Sequence, residues 1–145
     1  MKIPSLLFAN TLLVIGCATG AAGVAGPTLQ ESFPLRVGQS TVIAKEGLKV
    51  GFVSVVSDSR CGKGEMCVWE GDAVVRIWLQ APRAPREQRD LHTASRQPGA
   101  ASYRGYGIRL VKLSPIRIAE RSIAPGAYLA TLSVTLGPVD EDGAR

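Results

Sequence analysis

Short runs of alternating apolar and polar residues follow one another from residue 30 to residue 136. No stretch longer than about ten residues has a helical period. Alternation is clearest at residues 128–136, and the apolar residues of residues 73–79 likewise share one face. Both patterns are typical of strands that bury one side.

Seven strands are predicted, separated by the Gly, Pro, Ser and Asp residues that favour turns. Their ranges are 42–44, 48–56, 72–80, 88–93, 106–113, 115–119 and 128–136. The second run becomes apolar on both faces, which is typical of a central strand, whereas Pro115 places its own short run at a sheet edge. We therefore predict an all-β, single-domain antiparallel β-sandwich at residues 30–137, with a small β-barrel as the alternative.

The chain starts with Lys2 and a mostly apolar run that ends at Gly16. At about fourteen residues this run is shorter than a membrane span and is typical of an export signal. The sequence Val-Ile-Gly-Cys that ends at Cys17 resembles the lipobox of bacterial lipoproteins, which implies a diacylglycerol on that cysteine. We predict a signal peptide at 1–16, a flexible tether at 17–29 and a disordered tail at 138–145. A secretory signal cut after Ala25 and an uncleaved anchor are the alternatives.

Charge adds a possible binding surface to this picture. The 145 residues include 17 Lys and Arg against 12 Asp and Glu, for a net charge of +5. Most of the excess lies between residues 76 and 121, and guanidinium groups bind phosphate or carboxylate through paired hydrogen bonds. The candidate ligand-facing residues of this region are Arg83, Arg86, Arg89 and Arg104.

The partners expected for this charge depend on where the protein is exported. An exported chain meets an anionic envelope surface or a protein partner, and the lipid itself holds the chain to the membrane. Nucleic acid is not an expected partner. The alternative is that the arginines only solvate the domain and protect its strand edges.

Two cysteines remain once Cys17 carries lipid, and in an exported chain we predict a Cys61–Cys67 disulfide. Glycines at positions 62 and 64 allow the five intervening residues to turn back. A metal site is less favoured because zinc takes four ligands, and a redox pair because its cysteines are usually two residues apart beside a helix. No metal or cofactor is expected.

The residues around the cysteines carry a resemblance. Asp-Ser-Arg-Cys at residues 58–61, followed by Cys-Val-Trp-Glu-Gly-Asp-Ala at residues 67–73, resembles a segment of small bacterial exported proteins, many of them predicted lipoproteins. Those proteins usually have Pro and Ala where this chain has Gly62 and Glu70. The resemblance implies a compact β domain and carries no activity with it.

Two interpretations of this segment stay open. In the structural one, Trp69 lies on the same side of an extended chain as Cys67 and covers the disulfide, while Asp58 and Arg60 pair across the loop. In the functional one, Arg60 and Trp69 are ligand-facing, because a rigid loop lowers the ordering cost of binding. Calcium binding by Asp58, Glu65, Glu70 or Asp72 has no recognisable loop pattern to support it.

Catalytic motifs are lacking in this sequence. Asp90, His92 and Ser95 lie close together in a polar segment, but that is not a triad signature, and we expect His92 at a loop or strand edge. We therefore predict a lipid-anchored, non-enzymatic binding or structural module of the bacterial envelope, at the outer membrane and facing the periplasm. The alternative is a small secreted enzyme or inhibitor with a site near the stapled loop.

Overall fold

The computed structural model describes residues 25–139. Its regular structure is almost entirely β, with one 3-10 turn at Pro125–Ala127. Among these residues no helix has the length and hydropathy of a membrane span. The strands are β1 (Ser32–Arg36), β2 (Ser40–Val42), β3 (Lys49–Asp58), β4 (Ala73–Gln80), β5 (Glu87–His92), β6 (Ala100–Tyr103), β7 (Tyr106–Ser114) and β8 (Leu129–Leu136).

The strands form two four-stranded antiparallel sheets. One sheet has the order β2-β3-β4-β5 and the other the order β1-β8-β7-β6, so β1, β2, β5 and β6 are edge strands. The two sheets face each other across one apolar core and do not close into a single sheet. The predicted all-β sandwich is therefore confirmed, and the β-barrel alternative is wrong.

Alternation along the strands places the core as the sequence predicts. The four apolar residues of the inner face of β4 are fully buried, as are alternate residues of β8. Phe52 of β3 and Ile108 of β7 fill the space between the sheets. Core residues of the two central pairs of strands are Val50, Phe52, Ala73, Val75, Ile77, Leu79, Ile108, Leu113, Ala130, Leu132 and Val134.

The predicted strands differ from the structure at four places. The strand predicted at 42–44 overlaps only one residue of β2, which spans Ser40–Val42. β1 is not among the predicted strands. It contains Pro34, which is tolerated there because β1 is an edge strand that pairs only with β8. β6 also went unpredicted, because four residues are too few to show a period. The predicted strand at 115–119 is wrong: these residues make one isolated bridge, between Ile118 and Lys63.

The domain begins earlier and ends later than the sequence predicts. Pro27, placed in the tether, accepts a backbone hydrogen bond of 2.8 Å from Ala44, and Leu29 packs against the core. At the other end, the amide of Val139 donates to Oγ of Ser102 at 3.3 Å. The predicted signal peptide at 1–16, the lipid site at Cys17 and residues 140–145 of the predicted tail lie outside the described residues.

The loops of the sandwich cluster at its two ends. We call one the arginine end: it consists of the loops at 43–48, 81–86 and 104–105 and the segment at 25–27. Hydrogen bonds between the two sheets, from the hydroxyl of Tyr106 to Glu46 and from the amide of Ala81 to the hydroxyl of Tyr103, place these loops at the same end. The opposite end, which we call the staple end, consists of the loops at 59–72 and 93–99 and the β7–β8 connection at 115–128.

Candidate functional site

A disulfide closes the loop of the staple end. Cys61 and Cys67 are bonded, with their Cα atoms 6.0 Å apart, which confirms the prediction. Backbone hydrogen bonds tie this loop to the β7–β8 connection, from Lys63 to the carbonyl of Arg117 at 2.8 Å and from Ala119 to the carbonyl of Lys63 at 3.1 Å. The stapled loop is therefore fixed both covalently and through its neighbour.

Glu65 lies beside the disulfide, within 4.8 Å of both sulfur atoms. In the oxidised loop these sulfurs are bonded to each other, so neither is a thiolate that binds a metal. The carboxylate of Glu65 instead accepts a hydrogen bond of 2.7 Å from the amide of Gly62. The arrangement therefore serves to shape the loop.

Asp58 and Arg60 form a forked ion pair at the base of the stapled loop. Nε and Nη2 of Arg60 donate to the two carboxylate oxygens of Asp58 at 2.9 and 2.7 Å. The same guanidinium donates to the carbonyl oxygens of Leu113 and Pro115, each at 3.0 Å. The predicted pairing is confirmed, and it crosses from the end of β3 to the end of β7.

This pair is largely removed from solvent, with 15% of the Arg60 side chain and 8% of the Asp58 side chain exposed. Burial alone raises the pKa of the Asp58 carboxyl, but hydrogen bonds from Arg60 and Tyr128 outweigh it and hold the pKa below its usual value. The guanidinium of Arg60 makes four hydrogen bonds within the protein, an arrangement that favours a role for Arg60 as a support of the loop.

Trp69 does not cover the disulfide, and that prediction is wrong. Its side chain is 77% exposed, and Met66 and Val68 are exposed as well. The spacing argument holds only for an extended chain, whereas β4 does not start until Ala73 and the chain turns at Gly71, where φ is +70°. A Cβ atom at that position would collide with the carbonyl of Ser59, so the turn requires glycine.

His92 ends the edge strand β5, as expected, and its Nδ1 lies 2.6 Å from Oδ2 of Asp72. The other oxygen of Asp72 accepts backbone hydrogen bonds from Thr93 and Ala94 at 3.0 and 2.9 Å. Burial raises the pKa of Asp72, but the hydrogen bonds from His92 and these two amides hold it below its usual value. The carboxylate thus organises the loop that follows β5.

The three polar residues that the sequence analysis weighed as a triad bond to different partners. Asp90 pairs with Arg76 on the neighbouring strand at 2.7 Å, and Oγ of Ser95 donates to Glu70 at 2.7 Å. His92 instead meets Asp72. These contacts link neighbouring strands and loops, which is a structural use of the polar groups.

Three of the candidate arginines meet aromatic rings or carboxylates near the arginine end. The guanidinium of Arg86 lies 3.8 Å from the ring centre of Trp78. Arg89 pairs with Glu87 at 2.8 Å, and Arg89 and Arg104 lie 6.0 and 5.7 Å from the ring centre of Tyr103. Arg83 lies in the β4–β5 loop at the same end, with a φ of +59°.

Arg83, Arg86 and Arg104 lie in loops of the arginine end, whereas Arg89 lies within β5, so the candidate arginines do not form one flat face. Trp78, beneath Arg86, belongs to the outer side of β4, since its neighbours along the strand are buried. Arg89 and Arg104 flank Tyr103, which is buried where the edges of β5 and β6 approach. The hydroxyl of Tyr103 accepts a hydrogen bond from Ala81 at 3.2 Å, so the β4–β5 loop and the β6–β7 turn are held together.

A groove at the staple end was not found from the sequence. It is a cavity of about 370 Å³ between the second half of β3 and the β7–β8 connection, and we call it the β3 groove. Arg117 and Arg121 counted only toward net charge, although their presence between Pro115 and Pro125 marks an irregular basic connection. The lining residues of the β3 groove are Val55, Val56, Ser57, Asp58, Arg117, Arg121, Ser122, Ile123, Pro125 and Tyr128.

Comparison with known proteins finds no matching family model, no matching curated relative and no matching solved structure. The disulfide indicates folding in an oxidising compartment outside the cytoplasm. Beyond that, function follows from the geometry of the two ends of the sandwich.

Proposed function

We propose that this chain is a lipid-anchored, non-enzymatic binding module of the bacterial envelope, whose arginine end faces the anionic membrane surface. One observation carries this proposal: the chain joins its domain at the arginine end, where the carbonyl of Pro27 accepts a hydrogen bond from Ala44. A lipid on Cys17 would therefore be joined to the domain at its basic end, and attraction of the arginines to anionic headgroups would favour the orientation in which this end faces the bilayer. The staple end would point away from it.

The distance available to the anchor is short. Pro27 lies ten positions after Cys17, and even a fully extended segment of that length spans at most about 36 Å. The attachment point of the domain is thus limited to that distance from the lipid. When the arginine end approaches the headgroups, its cations come within the Debye length of about 8 Å from the lipid charges, where salt screens their attraction only partly.

The charges of the arginine end suit an anionic surface. Its loops carry exposed Arg83, Arg86 and Arg104, and Glu87 offsets only part of their charge. Each basic side chain close to anionic lipid contributes about 1 kcal/mol, and the aromatic ring beneath Arg86 keeps that guanidinium in place. Electrostatic attraction would thus add to the membrane attachment that the acyl chains provide.

The non-enzymatic assignment rests on how the polar groups of the staple end are used. The carboxylate of Asp58 accepts hydrogen bonds from Arg60 and Tyr128, and Asp72 holds His92 and the following loop. Both sets join elements of the fold. The small enzyme of the alternative interpretation would need such groups to converge on a substrate.

Acylation is tested by the intact mass of the protein from the envelope fraction. We expect a chain that begins at Cys17, carries acyl groups and retains the oxidised Cys61–Cys67 pair. A Cys17→Ser chain provides the control and is expected to lose the acyl mass and leave the membrane fraction. An unacylated native chain that begins at Gly26 would overturn the lipid anchor in favour of the secretory alternative.

Membrane orientation is tested with the Cys17→Ser chain and vesicles of anionic phospholipid at low salt. Replacing Arg83, Arg86 and Arg104 by serine should weaken vesicle binding about tenfold, which is roughly half of the electrostatic gain of about 1 kcal/mol expected for each of the three arginines. The matched control replaces Arg36, Arg96 and Arg109, which are exposed outside the arginine end, and should have little effect. Equal losses in the two triple variants, with both still folded, would refute the proposed orientation.

A further inference from the structure

We infer that the β3 groove binds an extended segment of a partner protein that bears a carboxylate side chain. The inference deepens the proposed binding role, because it assigns a ligand class to the end that would face away from the membrane. Such a segment would contact the free edge of β3, the apolar walls of the groove and one arginine that pairs with no described residue.

The second half of β3 has a strand neighbour on one side only. β2 pairs with Lys49–Gly51 and the preceding turn bonds to Phe52, whereas β4 pairs with β3 as far as Asp58. In the part of the chain that the structure describes, no strand pairs with the other edge of residues 54–58. Backbone N–H and C=O groups at such an edge are free to bond an added strand.

The walls of the groove provide apolar contacts for alternate side chains of that strand. Val55 and Val56 line one side and Ile123 the other, and Val56 is 50% exposed. A second cavity of about 260 Å³, lined by Ile116, Ile118 and Ala124 among others, continues beyond Ile123. The combined surface is longer than one side chain, so it suits a peptide better than a compact ligand.

Arg121 supplies the charge. It is exposed at the junction of the two cavities, and its side chain makes no hydrogen bond or ion pair with any residue in the range 25–139. The other charges of the groove are committed: Asp58 to Arg60, and Arg117 to Glu65 at 3.7 Å. The groove thus presents one free guanidinium, whose best partner is a carboxylate.

The stapled loop keeps the groove in shape. Lys63 bonds to the backbone at Arg117 and Ala119, and the guanidinium of Arg60 bonds to the carbonyl of Pro115. These contacts hold the start of the β7–β8 connection, which forms the far wall. A wall that is already ordered lowers the entropic cost of binding.

A second copy of the chain is a poorer occupant than a short peptide. β3 has register shifts between Phe52 and Ser54 and between Val55 and Ser57, and such bulges bend and twist a strand. A twisted edge of this kind opposes pairing between two sheets. A short extended segment that follows the groove does not need a flat edge.

The test titrates the Cys17→Ser chain with a fluorescein-labelled peptide of sequence Val-Thr-Glu-Thr-Val, whose valines and glutamate share one face when extended. We expect saturable binding that weakens at least tenfold in Arg121→Gln, while Arg109→Gln, which removes an exposed arginine from β7, stays within twofold of the parent chain. A peptide with glutamine for glutamate should lose as much as Arg121→Gln. Methylation of the peptide backbone nitrogens should also abolish binding.

Three results would overturn the inference. They are no saturable binding of the glutamate peptide to a folded parent chain, equal binding to Arg121→Gln, and self-association of the chain that Val56→Lys abolishes. The last would assign the β3 edge to a second copy. Because no lipid or vesicle is used, failure here leaves the membrane proposal standing, and failure of acylation or vesicle binding leaves this inference standing.

Discussion

Replacing Arg60 by alanine is expected to lower the free energy of unfolding by about 3 kcal/mol, the lower end of the range for breaking a buried ion pair. The variant leaves the buried carboxylate of Asp58 with only Tyr128 and a backbone amide as donors. It also removes the donors to the carbonyl oxygens of Leu113 and Pro115. Urea unfolding followed by tryptophan fluorescence measures the change.

Two variants separate this cause from a general loss of charge. Arg60→Lys keeps a cation but cannot form the fork, so it should recover only part of the stability. Arg96→Ala removes an exposed arginine of the loop after β5 and should change the free energy of unfolding by less than about 0.5 kcal/mol. Stability of Arg60→Ala equal to that of Arg96→Ala would contradict the structural role assigned to the pair.

Acid should reveal the same network. Hydrogen bonds lower the pKa of the Asp58 carboxyl in the folded chain. The contribution of this carboxylate to the free energy of unfolding is therefore fully present above the pKa that the same carboxyl has in the unfolded chain. That contribution is lost as the pH falls through the lower, folded-state pKa. Arg60→Ala should therefore lose less stability on acidification than the parent chain, while Asp72, whose pKa is also lowered, continues to contribute in both.

The apolar core and the loop chemistry could be predicted from local spacing. Alternation at residues 73–79 and in β8 fixes which side is buried, because successive side chains of a strand point to opposite faces. The Asp58–Arg60 pair and the disulfide are equally local, since each joins residues a few positions apart. Such features depend little on how the two sheets are ordered.

The β3 groove depends on relations that no local pattern contains. It exists because β2 has three residues and β3 has ten, so part of β3 has no neighbour on that side. Its other wall is the β7–β8 connection, some sixty residues further along the chain, which makes no strand of its own. The exposure of Trp69 was mispredicted for a related reason: the turn at Gly71 ends the extended geometry that the spacing argument assumed.

The stapled loop connects stability to the proposed binding. Its backbone holds the β7–β8 connection through Lys63, and the guanidinium of Arg60 holds the same connection through the carbonyl of Pro115. The loop therefore acts as a brace for the far wall of the β3 groove. Loss of the disulfide should weaken the groove as well as the fold.

Removing the disulfide with Cys61→Ala and Cys67→Ala is expected to lower the free energy of unfolding by about 2.4 kcal/mol, the loop-entropy value for a closed loop of seven residues. The measurement is urea unfolding of the Cys17→Ser chain with and without reductant. Reductant should shift the parent to the midpoint of the double variant and leave that variant unchanged. A double variant as stable as the oxidised parent would contradict the stabilising role assigned to the disulfide.

The cysteine double variant and Arg121→Gln should affect the groove in distinguishable ways. The disulfide restrains the unfolded chain, and it also keeps the loop closed in the folded chain. Because of the second effect, the double variant should bind the glutamate peptide more weakly even under conditions where it is fully folded. Arg121→Gln should do the reverse, losing peptide while keeping the parent midpoint, because its guanidinium bonds to nothing in the range 25–139. Unchanged peptide affinity in the folded double variant would mean that the β7–β8 connection keeps its position without the closed loop.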